Sequence, residues 1–217
     1  MIDKVKRFIS PAVAIPVLMW LAGCGGPEPI PAPKAFQDFV SPDRTFAGKG
    51  PDGWKKSEAG VQGGMQSSVV FEQGTAQVSL TADLQGSLMA DIGRANNAQV
   101  ENVAGMLPEG MQASLPKTIP VIDKLHLAAK NSLAKKYQNY EEKPSQMLRC
   151  GMGEGRVSEF TAEKADGIFK YKVHGYRATV LSGERRLVGV LRCAETDWAS
   201  LSPGFGQILS SLTAGPG

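Results

Sequence analysis

Ala76, Val78, Leu80, Ala82 and Leu84 alternate with Gln77, Ser79, Thr81 and Asp83. Successive side chains on a strand point to opposite faces, so this alternation predicts a half-buried strand. Ser68 to Glu72 precedes it, and Gln73-Gly74 reads as a two-residue hairpin turn between the two. Upstream, the turn signal Pro51-Asp52-Gly53 opens a short strand at Trp54. Beyond Leu84 the period changes to that of a helix. Met89, Ile92, Val100, Val103 and Leu107 predict a helix over 88–107, with Asn96 as a polar interruption of the stripe. Pro108, Gly110, Pro116 and Pro120 make a loop. Ile122, Leu125, Ala129, Leu133, Tyr137 and Tyr140 then share one face of a second helix over 122–140. On that helix His126 is expected on the polar side, and Glu141-Glu142 at a solvated end. Lys124, Lys130, Lys135 and Lys136 form a basic outer face, read as solvated.

Strands return after Pro144. Candidates lie at 147–151 and 155–161, followed by an Asp166-Gly167 turn. In the long strand 168–181 the apolar phase changes. Phe169, Tyr171 and Val173 occupy odd positions, whereas Tyr176, Ala178 and Val180 occupy even ones. A regular strand cannot change its buried face, so a bulge is expected at Gly175. Ser182-Gly183-Glu184 turns the chain into Arg186 to Cys193, where Leu187, Val188, Val190 and Leu191 are nearly continuous, as in a strand covered on both faces. A last helix is expected from near Ser202 as N-cap with Pro203 at its first position, and Leu201, Phe205, Ile208, Leu209 and Leu212 give it an apolar face. Strand groups separated by helices predict an α+β domain, a central antiparallel sheet covered by helices.

The N-terminus carries the strongest signal. Lys4, Lys6 and Arg7 precede a mostly apolar run from Phe8 to Leu21 that is broken by Pro11 and Pro16. The run is too short for a membrane-spanning helix and has the layout of an export signal. Leu21-Ala22-Gly23-Cys24 resembles the lipobox of bacterial lipoproteins. That resemblance implies cleavage after residue 23, a diacylglycerol on the Cys24 sulfur and a membrane anchor. In the bacterial sorting pattern this resembles, Gly25 rather than Asp at the following position implies the outer membrane, with the domain facing the periplasm. Pro27, Pro29, Pro31 and Pro33 then suit an extended polyproline spacer, reaching roughly 34 Å over residues 25–35. The expected organisation is a signal peptide at 1–23, a lipidated cysteine and tether at 24–44, and one domain at 45–217.

A family resemblance rests on three short stretches: Pro51-Asp52-Gly53-Trp54, Gly175-Tyr176-Arg177-Ala178-Thr179, and Leu201-Ser202-Pro203-Gly204-Phe205 running to Ser211-Leu212. These resemble the PsbP-like superfamily, which implies an α/β/α sandwich. The matching residues are structural, and no functional residue of that superfamily can be placed on this chain.

The whole chain carries a net charge of +3. Without residues 1–23, it keeps 21 basic and 20 acidic residues. A near-neutral surface gives no electrostatic reason for nucleic-acid binding. Cys150 and Cys193 lie in predicted strands of an exported chain and form a candidate disulfide, with two buried thiols as the alternative. His126 and His174 are far apart in sequence, and no C-x-x-C accompanies them, so neither a metal site nor a cofactor is expected. Gly151-x-Gly153-x-Gly155 mimics a phosphate loop, but a strand follows it, so it reads as a Gly-rich hairpin. Ser132-Leu133-Ala134-Lys135 matches the S-x-x-K of penicillin-binding enzymes without the companion motifs. No catalytic residue emerges. The expected function is a non-enzymatic, lipid-anchored envelope module with an envelope protein or small ligand as partner. The alternatives are a small envelope hydrolase or other enzyme whose site forms only on folding, and a purely structural envelope protein.

Overall fold

The computed structural model describes residues 29–108, 119–166, 169–183 and 185–216. The signal segment, Cys24, the Gly167 turn position and Glu184 lie outside the described residues. Two sheets and three helices account for the described residues. The large antiparallel sheet runs β3 (Lys55–Ala59), β4 (Gln66–Gln73), β5 (Ala76–Asp83), β10 (Arg185–Ala194), β9 (Phe169–Ser182), β8 (Gly153–Asp166), β6 (Gln138–Glu142), with β7 (Gln146–Cys150) also pairing with β8. A small sheet joins β1 (Phe36–Val40), β2 (Phe46–Pro51) and β11 (Thr213–Ala214). The helices are α1 (Gln85–Met106), α2 (Val121–Ala134) and α3 (Trp198–Ser210).

The alternation in β5 behaves as expected: Ala76, Val78, Leu80 and Ala82 are all buried. They form a core with Phe71, Ala178, Val180, Leu187 and Leu191 of the sheet. The α3 residues Leu201, Phe205 and Ile208 cover that core, and Phe39 and Phe46 of the small sheet extend it. On the opposite face lie α1 and α2, over a smaller cluster of Leu133, Phe160, Ala162 and Val173. The large sheet is therefore an antiparallel layer between helices, as predicted. Residues 146–157 also form the expected Gly-rich hairpin, with Cys150 paired to Gly153.

Several elements differ from the sequence expectation. The strand at β9 carries no bulge. Its pairing with β8 runs unbroken through Phe160↔Gly175, and with β10 through Arg192↔Gly175. Tyr171 and Tyr176 therefore point to opposite faces. The apolar phase changes because β9 is covered on both sides. Val173 and Tyr171 pack into the α2-side cluster, whereas Tyr176, Ala178 and Val180 pack on the α3 side. Gly175 is required by close approach: a Cβ there would lie 2.8 Å from the Phe160 ring and 2.4 Å from the Leu191 carbonyl oxygen.

A bulge does occur, in β6. Its register against β8 shifts between Gln138 and Glu141, and Asn139 takes the left-handed φ of 49°. Helix α2 ends at Ala134, so Tyr137 and Tyr140 belong to this turn and strand rather than to a helix. Their three-residue spacing suits either structure, and the bulge brings both rings against Phe160. At the other end of the chain α3 begins at Trp198, so Pro203 stands inside the helix instead of opening it. A 3-10 turn over Glu195–Asp197 supplies the start. The inward stripe of α1 is also displaced from the expected one: Gly93 is buried, and Ile92 and Val103 are exposed. Asn97 lies on the α2 side, where its amide donates to the Ile119 carbonyl and its oxygen accepts from Lys124. The β4–β5 turn falls on Gly74-Thr75, one residue later than expected.

The segment assigned to the tether is partly domain. Phe36–Val40 pairs with β2 along its full length. Ile30 is buried; its N–H donates to Asp197 (3.3 Å) and its carbonyl accepts from the Ser200 hydroxyl (3.1 Å). The folded unit thus begins by Ile30 rather than at residue 45.

Candidate functional site

The most concentrated chemistry lies under α2, where a polar cluster is sealed between helix and sheet. Arg177 of β9 is the largest fully buried side chain among the described residues, at 1% exposure. Its guanidinium forms an ion pair with Glu142 of β6 (2.5 Å) and donates through Nη1 to the His126 carbonyl (2.6 Å). The same nitrogen lies 3.1 Å from His126 Nδ1. An arginine only donates, so Nδ1 accepts, and the ring proton sits on Nε2, facing the Ser158 hydroxyl at 2.9 Å. Thr179 Oγ1 lies 3.0 Å from Nδ1, and the Tyr140 hydroxyl donates to Glu142 (2.6 Å). Local sequence explains the arrangement. His126 falls four residues after Ile122 and three before Ala129, on the buried stripe of α2. Arg177 and Thr179 are on the β9 face that α2 covers.

His126 is therefore inward-facing, not on the polar side of its helix, and Glu142 is a half-buried strand residue whose side chain points inward, 3% exposed, rather than a solvated helix end. Burial first, and the Arg177 cation second, hold the His126 pKa down to about 4. Burial pushes Glu142 upward, but hydrogen bonds led by those from Arg177 and Tyr140 outweigh it and hold the carboxyl below its usual range. Burial, reinforced by the hydrogen bond to Glu142, pushes the Tyr140 phenol well up.

Ser158, His126 and Glu142 superficially resemble a nucleophile–base–acid relay. The geometry opposes that role. In such a relay a carboxylate faces the second ring nitrogen and raises the basicity of the imidazole. Here that nitrogen faces a guanidinium, which lowers it, and Glu142 lies 3.8 Å from Nε2 instead. Ser158 is 2% exposed, so no substrate reaches its hydroxyl. The cluster is a satisfied polar core. The S-x-x-K match is likewise structural: Ser132 is exposed and donates to the Ala128 carbonyl of its own helix.

His174 sits on the opposite face of β9. Its ring stacks on Trp198 at 3.9 Å and 9°, with Nε2 2.7 Å from Glu159 and Nδ1 3.0 Å from Glu195. These contacts fasten the start of α3 to the sheet. The candidate disulfide is not formed, and both cysteines are free. Cys193 pairs with His174, whereas Cys150 pairs with Gly153, next to the Glu154↔Leu181 pair. Seven residues of β9 separate these positions, about 20 Å or more along the strand. Burial pushes the Cys193 thiol up to about 12.

An open groove of about 270 Å³ lies between the C-terminal half of α2 and strands β5, β9 and β10. Cross-strand pairing builds its floor. Thr81 is opposite Val188, Ser79 is opposite Val190, and Val190 is opposite Arg177. Arg186 and Lys136 also line it, as does Asp83, which pairs with Arg186 at 2.8 Å. As binding residues, sequence reasoning singled out none of these except Lys136, within a basic helix face. Val188 and Val190 read as part of a strand covered on both faces, and Ser79, Thr81 and Asp83 as the polar positions of an alternating strand, which read as solvent-facing.

No protein-family model matches the chain, and no curated protein matches it by sequence. Solved structures do. The solution structure of the cyanobacterial PsbP protein CyanoP from Synechocystis sp. PCC 6803 superposes with a TM-score of 0.51 at 13% identity, covering 89% of this chain and 98% of that one. LpqN of Mycobacterium tuberculosis, described as involved in cell envelope biogenesis, gives a TM-score of 0.43 at 11% identity over 83% of this chain and 92% of that one. Among the described residues no helix is long and apolar enough to cross a membrane. With its antiparallel sheet between helices and its likeness to CyanoP, the chain has a PsbP-like fold.

Proposed function

We propose that this protein is a bacterial envelope lipoprotein, anchored through acyl chains on Cys24 to the outer membrane and facing the periplasm, whose domain is a non-catalytic binding or accessory module. The observation that carries the reading is the basic start, short apolar run and Leu21-Ala22-Gly23-Cys24 ending, followed within a few residues by the folded domain. The sealed state of the Arg177–Glu142–His126 cluster supports a structural use for the most reactive side chains. Metabolic labelling with palmitate tests the anchor. Wild type takes up label and fractionates with membranes, whereas Cys24→Ala does neither. Equal labelling of the two proteins overturns the proposal. Affinity capture of the wild type from envelope membranes, against Cys24→Ala as the mislocalised control, identifies the partner.

A further inference from the structure

The layer between α2 and the sheet departs from an ordinary helix–sheet contact. Three rows of side chains cross the strands on this face: Ser79–Val190–Arg177, Thr81–Val188–Thr179, and Asp83–Arg186. Hydroxyls and cations thus occupy positions where apolar groups usually meet a helix. The cations are not equally satisfied. Arg177 is consumed by Glu142 and His126. Arg186 makes a single contact with Asp83, through Nη2, and its buried Nε has no acceptor. A guanidinium–carboxylate pair of full strength uses two parallel hydrogen bonds; here the buried Nε is out of a ligand's reach, and Nη1 is the donor left without a bond among the described residues. Lys136, exposed at the groove, forms no ion pair among the described residues. Asp83 is the one carboxylate among the described lining residues, against two cations, Arg186 and Lys136, that Glu142 does not neutralise. Val188, Val190 and Leu133 add an apolar surface beside this charge.

We propose that the groove binds a small organic anion. Lys136 and Arg186 take its carboxylate or phosphate, the Ser79 and Thr81 hydroxyls add hydrogen bonds, and a short apolar body lies on Val188, Val190 and Leu133. A groove that combines a few convergent polar groups with apolar walls suits such a ligand. This deepens the binding-module reading and rests on it. The test uses the full chain in uncharged detergent, with benzoate and phenyl phosphate as probes and uncharged benzamide as the control, read by calorimetry. Both anions bind more tightly than benzamide, and added salt weakens them. Lys136→Gln weakens them by about three- to tenfold, the effect of one partly shielded charge. Lys130→Gln, on the same helix but away from the groove, leaves them unchanged. Binding of benzoate no tighter than that of benzamide, or equal loss in the Lys136 and Lys130 variants, overturns the proposal. Phosphatidic acid vesicles competing with phenyl phosphate, where neutral vesicles do not, assign the natural anion to a lipid headgroup; no competition assigns it to a soluble anion. Palmitate uptake at Cys24 without anion binding removes the groove and leaves the anchor; anion binding by an unlabelled chain does the reverse.

Discussion

At the scale of single residues, buried charge dominates. His126 titrates near 6.5 when unfolded and near 4 when folded. Between those values the unfolded chain takes up a proton that the folded one does not. The stabilisation is therefore complete above pH 6.5 and is lost as pH falls toward 4. The shift corresponds to about 3 kcal/mol. Urea midpoints measured from pH 7 to pH 4 should fall accordingly, and His126→Gln should flatten that decline; an equal decline in the variant would remove His126 as the cause. Glu142→Ala leaves the Arg177 cation buried without its carboxylate, which costs about 3–5 kcal/mol. The double change Arg177→Met with Glu142→Leu should cost less than Glu142→Ala alone in chemical denaturation, because it removes both charges. The cysteines give a third outcome. In native, unreduced protein an alkylating agent should modify half-buried Cys150 first and reach Cys193 only on unfolding. A linked Cys150–Cys193 peptide in non-reducing mass spectrometry would contradict the strand register.

At the scale of elements, β9 shows how two coverings can imitate one irregularity. Period-2 alternation assigns a face only when one side of the strand is buried. In β9 the apolar residues pack toward α2 at one end and toward α3 at the other, so the sequence shows a phase change where the backbone has none. Gly175→Ala tests the alternative reason for that glycine. The added methyl collides with the Leu191 carbonyl and the Phe160 ring, and should destabilise by about 1–3 kcal/mol. Phe160→Leu in the same background should recover only part of this, because the clash with backbone remains. A neutral Gly175→Ala would show that the two strands can part without cost. The real bulge, in β6, was hidden because Tyr137 and Tyr140 have a spacing that also fits a helix. The start of α3 was misplaced for a related reason: a proline that often opens a helix stands here inside one whose apolar stripe already begins at Trp198 and Leu201.

At the scale of the whole molecule, the docking of Ile30 shortens the reach between Cys24 and the domain, which under the proposed anchor sets the distance to the membrane. The six peptide steps from Cys24 to Ile30 reach at most about 21 Å, whereas a free spacer to residue 35 would reach roughly 34 Å. With Cys24 acylated, a fluorophore on exposed Thr196, beside the Ile30 contact, should be quenched by a dye in the bilayer. Ile30→Asp should free the strap and weaken the quenching; equal quenching in both proteins would show that residues 30–35 do not hold the domain down. The sequence by itself determined what depends on local order. The alternation of β5, the Gly-rich hairpin and the α+β class all follow from neighbours a few residues apart. The PsbP-like resemblance was legible for the same reason, through short structural motifs. Only the tertiary structure decided which polar residues are buried. Arg177, Glu142 and His126 are separated by 16 to 51 positions, and each looks solvent-facing among its own neighbours. The groove lined by Ser79, Val190, Arg186 and Lys136 was hidden likewise. Whether the polar face of a strand meets water or a helix is fixed by how distant elements pack, and no local pattern encodes it.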